Sequence, residues 1–273
     1  MVVESILDPH KAEKKPWVVF FISIIFTILS IFVSHIIFPS QISILTIAFI
    51  TILFTPFFNH LFNIEEKKEE EEAEGKIKEG IFQRHEQVIK IFSYFFFGII
   101  VVMTFVFIFF PSFSQNLFSL QAQTLRQISG ATGKITIPSD FFTIFFNNTK
   151  VMSLIFLTSV LFGAGAVFIL AWNASVISVF VGMFIQTLAK SGIPLHAAYL
   201  FGLPLGLSRL VIHGVPEVLG YFLVGIAGGI LSVAIAREKY NTPEFKQVIK
   251  DSLLFFISAE CLILVGALLE VFV

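Results

Sequence analysis

Long apolar runs alternate with short charged stretches along the whole chain. The runs fall at 17–38, 42–62, 91–111, 150–171, 172–189, 197–212, 216–236 and 248–270. A helix needs about 20 apolar residues to cross about 30 Å of hydrocarbon, and most of these runs come close to that length. The pattern predicts an all-α, polytopic transmembrane bundle. The first run, Trp17 to Phe38, is longer than the apolar stretch of a cleavable signal, and no small-x-small site follows in Phe38-Pro39-Ser40-Gln41. It is read as an uncleaved span, paired with 42–62 as a helical hairpin.

The intervening stretches divide the chain. Residues 1–111 hold the N-terminal hairpin, an acidic cytoplasmic loop and a third span; 112–140 form an outer loop; 141–273 form a membrane core. Within the 63–90 loop, Glu65 to Glu79 reads EEKKEEEEAEGKIKE. Such a charge run is expected to be a solvated helix continuing the second span, or, on a sharper reading, an acidic docking segment for a basic partner. Before the fourth span, residues 137–149 read IPSDFFTIFFNNT. Ser139 as a cap and Phe141, Phe142, Phe145 and Phe146 facing lipid suggest a helix lying in the interface.

Basic residues set the orientation. The N-terminus, the 63–90 loop and the 237–250 loop together hold 13 of the 18 Lys and Arg, so all three are placed in the cytoplasm. The expectation is a multi-pass protein of the cell membrane with a cytoplasmic N-terminus. An odd number of crossings must then separate residue 190 from Arg237, so 197–212 and 216–236 cannot both cross. The shorter, 197–212, is read as a re-entrant or interfacial half-helix beside seven spans. Assigning 172–189 as the half-helix fits the charges equally well.

Composition narrows the function. Apolar residues make up 56% and charged residues 14%, against roughly 45–50% and 25% in soluble domains. A net charge of −1 leaves no basic excess for nucleic acid. The single cysteine, Cys261, supports neither an intrachain disulfide nor a CxxC metal site. The expected partners are the lipid bilayer, a second copy of the chain in a homodimer, and a cytoplasmic or envelope protein.

Polar residues inside the apolar runs are the candidate chemistry, because each costs on the order of 2.5–3.5 kcal/mol at the centre of a span. Asn147 and Asn148 precede the 150–171 run, where Asn can cap a helix. Trp172-Asn173 suits a tight inner turn between two spans, with Gly163 and Gly165 permitting close approach just before it. The densest group is Arg209, His213, Gly214, Pro216 and Glu217. Gly214 suits a helix end and Pro216 a helix start, which predicts a break at 213–215. Glu217 would then sit in a first turn, beside His213. That pair reads as a structural hydrogen bond, an ion or proton site, or a catalytic pair. Glu260 lies deep in the last run and Glu270 near its outer end, and Arg209 is the expected partner of Glu260. Gly225 and Gly229 form a GxxxG pair for an internal neighbour or a second subunit.

From about Phe141 onward these residues resemble the stage II sporulation protein M family. The resemblance lies in Asn147-Asn148, Gly163 with Gly165, Asn173, His213-Gly214-Val215-Pro216-Glu217 and Ala267-Leu268-Leu269-Glu270, in that order. It departs where Ala174 follows Asn173 and Ile212 precedes His213. It implies a non-enzymatic membrane scaffold that recruits envelope-remodelling partners. A transporter or channel for an ion or small solute, using the region around His213 and Glu217, is the alternative. An enzyme is not expected: there is no HExxH, and GLSRL at 206–210 lacks a GxSxG elbow. No catalytic residue, metal or cofactor is assigned.

Overall fold

The computed structural model describes residues 8–76, 79–128, 141–237 and 240–272, with side chains described for all of these but 127–128, 195–196 and 199–210. Every regular element among the described residues is helical. In chain order these are α1 (Pro9–Lys14), α2 (Trp17–Ile37), a 3-10 turn (Pro39–Gln41), α3 (Ile42–Ala73), α4 (Ile81–Arg84), α5 (Glu86–Phe109), α6 (Pro111–Leu117), α7 (Ser119–Ile128), α8 (Phe141–Phe162), α9 (Gly165–Lys190), α10 (Leu195–Ala236) and α11 (Pro243–Phe272). Seven are long and apolar enough to cross a membrane: α2, α3, α5, α8, α9, the Val211–Ala236 part of α10, and α11.

Lipid reverses the usual logic of burial, since a helix gains nothing by hiding hydrocarbon from hydrocarbon. α2 shows the result. Ser23, Thr27, Ser30 and Ser34 are buried, while Phe21, Ile25 and Phe32 are exposed. The small face packs on α5 at Gly98, where an added Cβ would lie 2.5 Å from Ser23 Cβ and 2.8 Å from the Phe20 carbonyl oxygen. On its other side α5 meets α3 through an aromatic core. Phe58 with Phe92, and Phe54 with Phe95, each pack edge to face at 4.8 Å between centroids. The 112–140 stretch is not wholly irregular. α6 and α7 fold back on the bundle, where buried Gln121 accepts from Ser43 Oγ at 2.7 Å and donates to Ser175 Oγ at 3.1 Å.

Three expectations are corrected. The turn between the fourth and fifth spans lies at Gly163-Ala164, not at Trp172-Asn173. Gly163 has φ +63°, a conformation that favours glycine, and Asn59 Oδ1 on α3 accepts from the Ala164 N–H at 3.0 Å to satisfy the start of α9. α9 is therefore a full 26-residue span, so 172–189 is not a half-helix. The interfacial helix ahead of the fourth span is instead the first part of α8; Ser139 lies outside the described residues.

The third correction concerns 197–217. α10 runs unbroken for 42 residues through Gly214 and Pro216, roughly 63 Å at 1.5 Å per residue. Residues 197–212 extend the sixth span as one helix with it and form no separate half-helix. Pro216 removes one N–H and leaves the Ile212 carbonyl without its usual partner, yet a single missing bond does not end a helix supported by neighbours. α10 meets α9 twice: Gly225 lies against Ala166, and Ala198 clusters with Val181 and Ile185. Those contacts are roughly 40 Å apart along α10 but only about 22–28 Å apart along α9. The two helices cannot run straight and parallel between them. A crevice of about 180 Å³ opens there, with Phe96, Ile100, Ile177, Val211, Gly214 and Val218 among its lining.

Candidate functional site

Two polar clusters sit at opposite ends of the bundle. The first joins α8, α10 and α11. Asn148 Nδ2 donates to Glu217 Oε1 at 2.6 Å, and Tyr221 Oη donates to Asn148 Oδ1 at 3.2 Å. Thr149 Oγ1 donates to Glu260 Oε1 at 2.9 Å. Glu260 Oε2 is buried with no hydrogen-bond partner. Gly266 makes room for the carboxylate of α10: a Cβ there would stand 2.6 Å from Glu217 Cγ and 3.0 Å from the His213 carbonyl oxygen. Glu270 lies near enough to Glu217 to act on it electrostatically.

The structure thus gathers Asn148, Glu217, Glu260 and Glu270 from the sequence reading. His213 is half-buried beside them, but the link to Gly266 is through its backbone. Gly214 has open space around it and lines the crevice instead. Asn147 makes no side-chain hydrogen bond among the described residues. Asn173 sits within α9 and donates to the Ile169 carbonyl at 2.8 Å, so it serves its own helix. The Arg209 side chain lies outside the described ones, and the partner found for Glu260 is Thr149. Thr149, Tyr221 and Gly266 were missed. Tyr221 stands one turn after Glu217 on the same helical face, a signal that was available.

The glycines have internal uses. Gly225 faces Ala166 and Phe92, and Gly229 faces Phe62, so the GxxxG pair packs within the chain. Gly228, one of the small residues of the 216–236 run, marks a close crossing with α8. A Cβ there would lie 2.7 Å from Ser159 Cβ, and Ser159 Oγ lies 2.8 Å from the carbonyl oxygens of both Gly163 and Gly225. Gly165 likewise abuts the Thr158 carbonyl.

The second cluster lies where sequence reasoning expected a solvated helix. Glu65 is 23 residues into α3, roughly 35 Å along it, beyond the thickness of the hydrocarbon. The helix does continue past the membrane-spanning length, but one face of it is buried: Glu65, Glu66 and Glu69 are 0%, 1% and 1% exposed. His85 lies between two of them, with Nδ1 2.5 Å from Glu65 Oε2 and Nε2 2.6 Å from Glu69 Oε1. Arg84 binds Glu69 at 3.2 Å, Glu72 at 3.2 Å and Asp251 of α11. Arg237, at the end of α10, pairs with Glu66 and with Glu70 at 3.4 Å. Lys68 bridges Glu65 at 2.7 Å and Glu13 of α1 at 2.8 Å.

Burial opposes a charged His85, but hydrogen bonds from both ring nitrogens to carboxylates, and the charges of Glu65 and Glu69, outweigh it and raise its pKa. The geometry requires the same: two carboxylates at two ring nitrogens need two N–H donors, hence an imidazolium. A signal for this cluster was present. Positions 54, 58, 61, 62, 65, 66 and 69 continue one helical stripe, and the buried phenylalanines give way to glutamates along it. Among the described residues no His, Cys, Asp and Glu side chains converge as a metal-binding group of three or more.

Seven helices long and apolar enough to cross a membrane, with large hydrocarbon side chains left exposed along them, define a multi-pass helical membrane protein. The sequence model of stage II sporulation protein M matches residues 91–273. The chain belongs to that family. The match begins in α5, well before the residues that carried the resemblance, and takes in Glu260 and Glu270 of α11 and the Glu217 region of α10. No curated protein and no solved structure matches the chain.

Proposed function

We propose that this protein is a non-enzymatic scaffold of the cell membrane that recruits a protein partner in envelope or membrane remodelling. The observation that carries this reading is the ion-paired platform built by the end of α3, α4, Arg237 and Asp251. Its inward charges neutralise one another, which holds the α3 extension rigid. Its exposed side chains include Lys67, Glu71, Glu74, Lys76 and Glu79, three carboxylates against two ammonium groups, of which Glu71 and Glu74 would meet a basic partner. The basic stretches are collected at this end of the bundle by Lys68–Glu13, Arg84–Asp251 and Arg237–Glu66, which supports putting the platform and the N-terminus in the cytoplasm. In-cell photocrosslinking compares the wild type with Glu71→Lys/Glu74→Lys, a change confined to exposed side chains. Loss of a crosslinked partner is the expected outcome; an unchanged partner set rules out docking at these carboxylates.

A second reading, a transporter for an ion or small solute, has one observation in its favour: Glu260 Oε2, buried without a partner at membrane depth. The unbroken α10 removes the broken helix that first suggested it. Liposome flux with wild type and Glu217→Gln decides between the two readings. Self-association, if part of the scaffold's action, would use a surface other than Gly225 and Gly229.

A further inference from the structure

α1 and the start of α2 enclose a cavity of about 250 Å³, the bulk volume of roughly eight waters at about 30 Å³ each. Its lining is of two kinds. Lys11, Lys14 and Lys15 come from α1 and the link that follows it, and Val18 and Ile22, one turn apart, come from α2 as it enters its apolar run. The one carboxylate in the lining, Asp8, is already engaged: its Oδ1 accepts from the His10 N–H at 3.0 Å and caps α1, and Lys11 lies 4.0 Å from its Oδ2. Lys14 and Lys15 have no carboxylate partner among the described residues. Trp17, 51% exposed, stands at the boundary where the chain turns from polar to apolar, a position that tryptophan favours at the edge of a bilayer.

We propose that this cavity binds the phosphodiester headgroup of an anionic phospholipid, with the first part of an acyl chain lying along Val18 and Ile22. Two unpaired ammonium groups supply the attraction for a phosphate oxygen. The apolar part of the lining suits a ligand whose anionic head carries a hydrocarbon tail, which a free phosphate lacks. Lysines beside a span each add attraction for an anionic leaflet. The site differs from a diffuse basic patch in being concave and in combining its charges with an apolar lining. It is also connected: Glu13, on the same short helix, bridges Lys68 of the platform at 2.8 Å, so a bound lipid would fix α1 against the acidic extension of α3.

Native mass spectrometry of the full chain, released from nanodiscs of equal parts phosphatidylglycerol and phosphatidylcholine, reads the proposal directly. The expected result is selective retention of phosphatidylglycerol, reduced roughly tenfold or more in Lys14→Gln/Lys15→Gln, as removal of two surface charges predicts. Both lysines are exposed and without a carboxylate partner among the described residues, so unfolding temperature in detergent should be unchanged, which separates lost binding from lost fold. Equal retention of the two lipids by the wild type, or unaltered enrichment in the double variant, overturns the proposal. An arm with excess inorganic phosphate tests the source. If phosphate alone abolishes the phosphatidylglycerol enrichment, the site is one for free phosphate and the lipid assignment is wrong.

Discussion

His85 is the residue on which the inner cluster turns. Glu65 and Glu69 approach it from α3, Arg84 precedes it in the chain, and Asp251 and Phe255 close the site from α11, with the Phe255 ring 5.4 Å away. Because its folded pKa is raised, its contribution to stability is complete below the unfolded value of about 6.5 and is lost as pH rises through the folded value. Thermal unfolding in one detergent, measured across that range, should show the wild type losing stability toward alkaline pH. His85→Ala should abolish that loss and cost about 2–3 kcal/mol at acidic pH, because two buried carboxylates lose a charged hydrogen-bond donor while Lys68 and Arg84 still pair with them. A flat wild-type profile contradicts an imidazolium at this site. In the outer cluster, Asn148→Ala removes the donor to Glu217 and the acceptor of Tyr221. It should cost about 1–2 kcal/mol, toward the upper end for a polar contact within a membrane. Asn147→Ala should cost much less. Unfolding midpoints of the two variants side by side make the comparison.

At the scale of helices, the sequence was legible where the signal was length and composition, and misleading where it was punctuation. Seven spans follow from runs of apolar residues, and no tertiary contact can alter that count easily. Helix ends are different. Gly214 and Pro216 looked like a stop and a start, but α9 and α11 flank α10 there and the helix continues through both. Gly163 looked like a packing residue and proves to be the turn, because its positive φ and the cap from Asn59 depend on α3, a partner about a hundred residues away in the chain. Asn148, Glu217, Glu260 and Glu270 do come together, but not as the pairing of opposite charges that the cost of a lone ionisable group in lipid suggests: Thr149 is the partner found for Glu260, and an asparagine and a second carboxylate stand near Glu217. Thr149 was hidden because threonine is unremarkable at a span. Gly163→Ala tests the turn: its Cβ would stand 2.6 Å from Asn59 Oδ1, and the left-handed backbone adds about 1–2 kcal/mol. We expect reduced folded yield, with Gly75→Ala as a control, since Gly75 shares the positive φ but has open space around it.

For the whole molecule, an odd number of spans puts the two ends on opposite sides. In a chain whose Cys261 is replaced by serine, single cysteines at Glu74 and Asn241 should be labelled by a membrane-impermeant thiol reagent only after the cytoplasmic face is opened. A cysteine at Gly192 should label from outside without opening. Labelling of positions 74 and 241 on opposite sides would contradict the gathering of the basic stretches at one end.

The platform also imposes an order of events on synthesis. Arg84 and Asp251 are separated by 167 residues, and Glu66 and Arg237 by 171. A ribosome adding about 5–20 residues per second makes α3 roughly 8–35 s before its last cationic and acidic partners emerge. During that interval Lys68, Arg84 and His85 already stand by Glu65 and Glu69, but Glu66 and Glu70 lack Arg237 and Arg84 lacks Asp251, and the N-terminal hairpin stands in the membrane as an open half. Only completion of α11 closes it. The acidic helix thereby acts as a register of completeness: a chain released early, ending between α9 and α10, would display Glu66 and Glu70 without Arg237, and Arg84 without Asp251, to the proteases that survey the membrane surface.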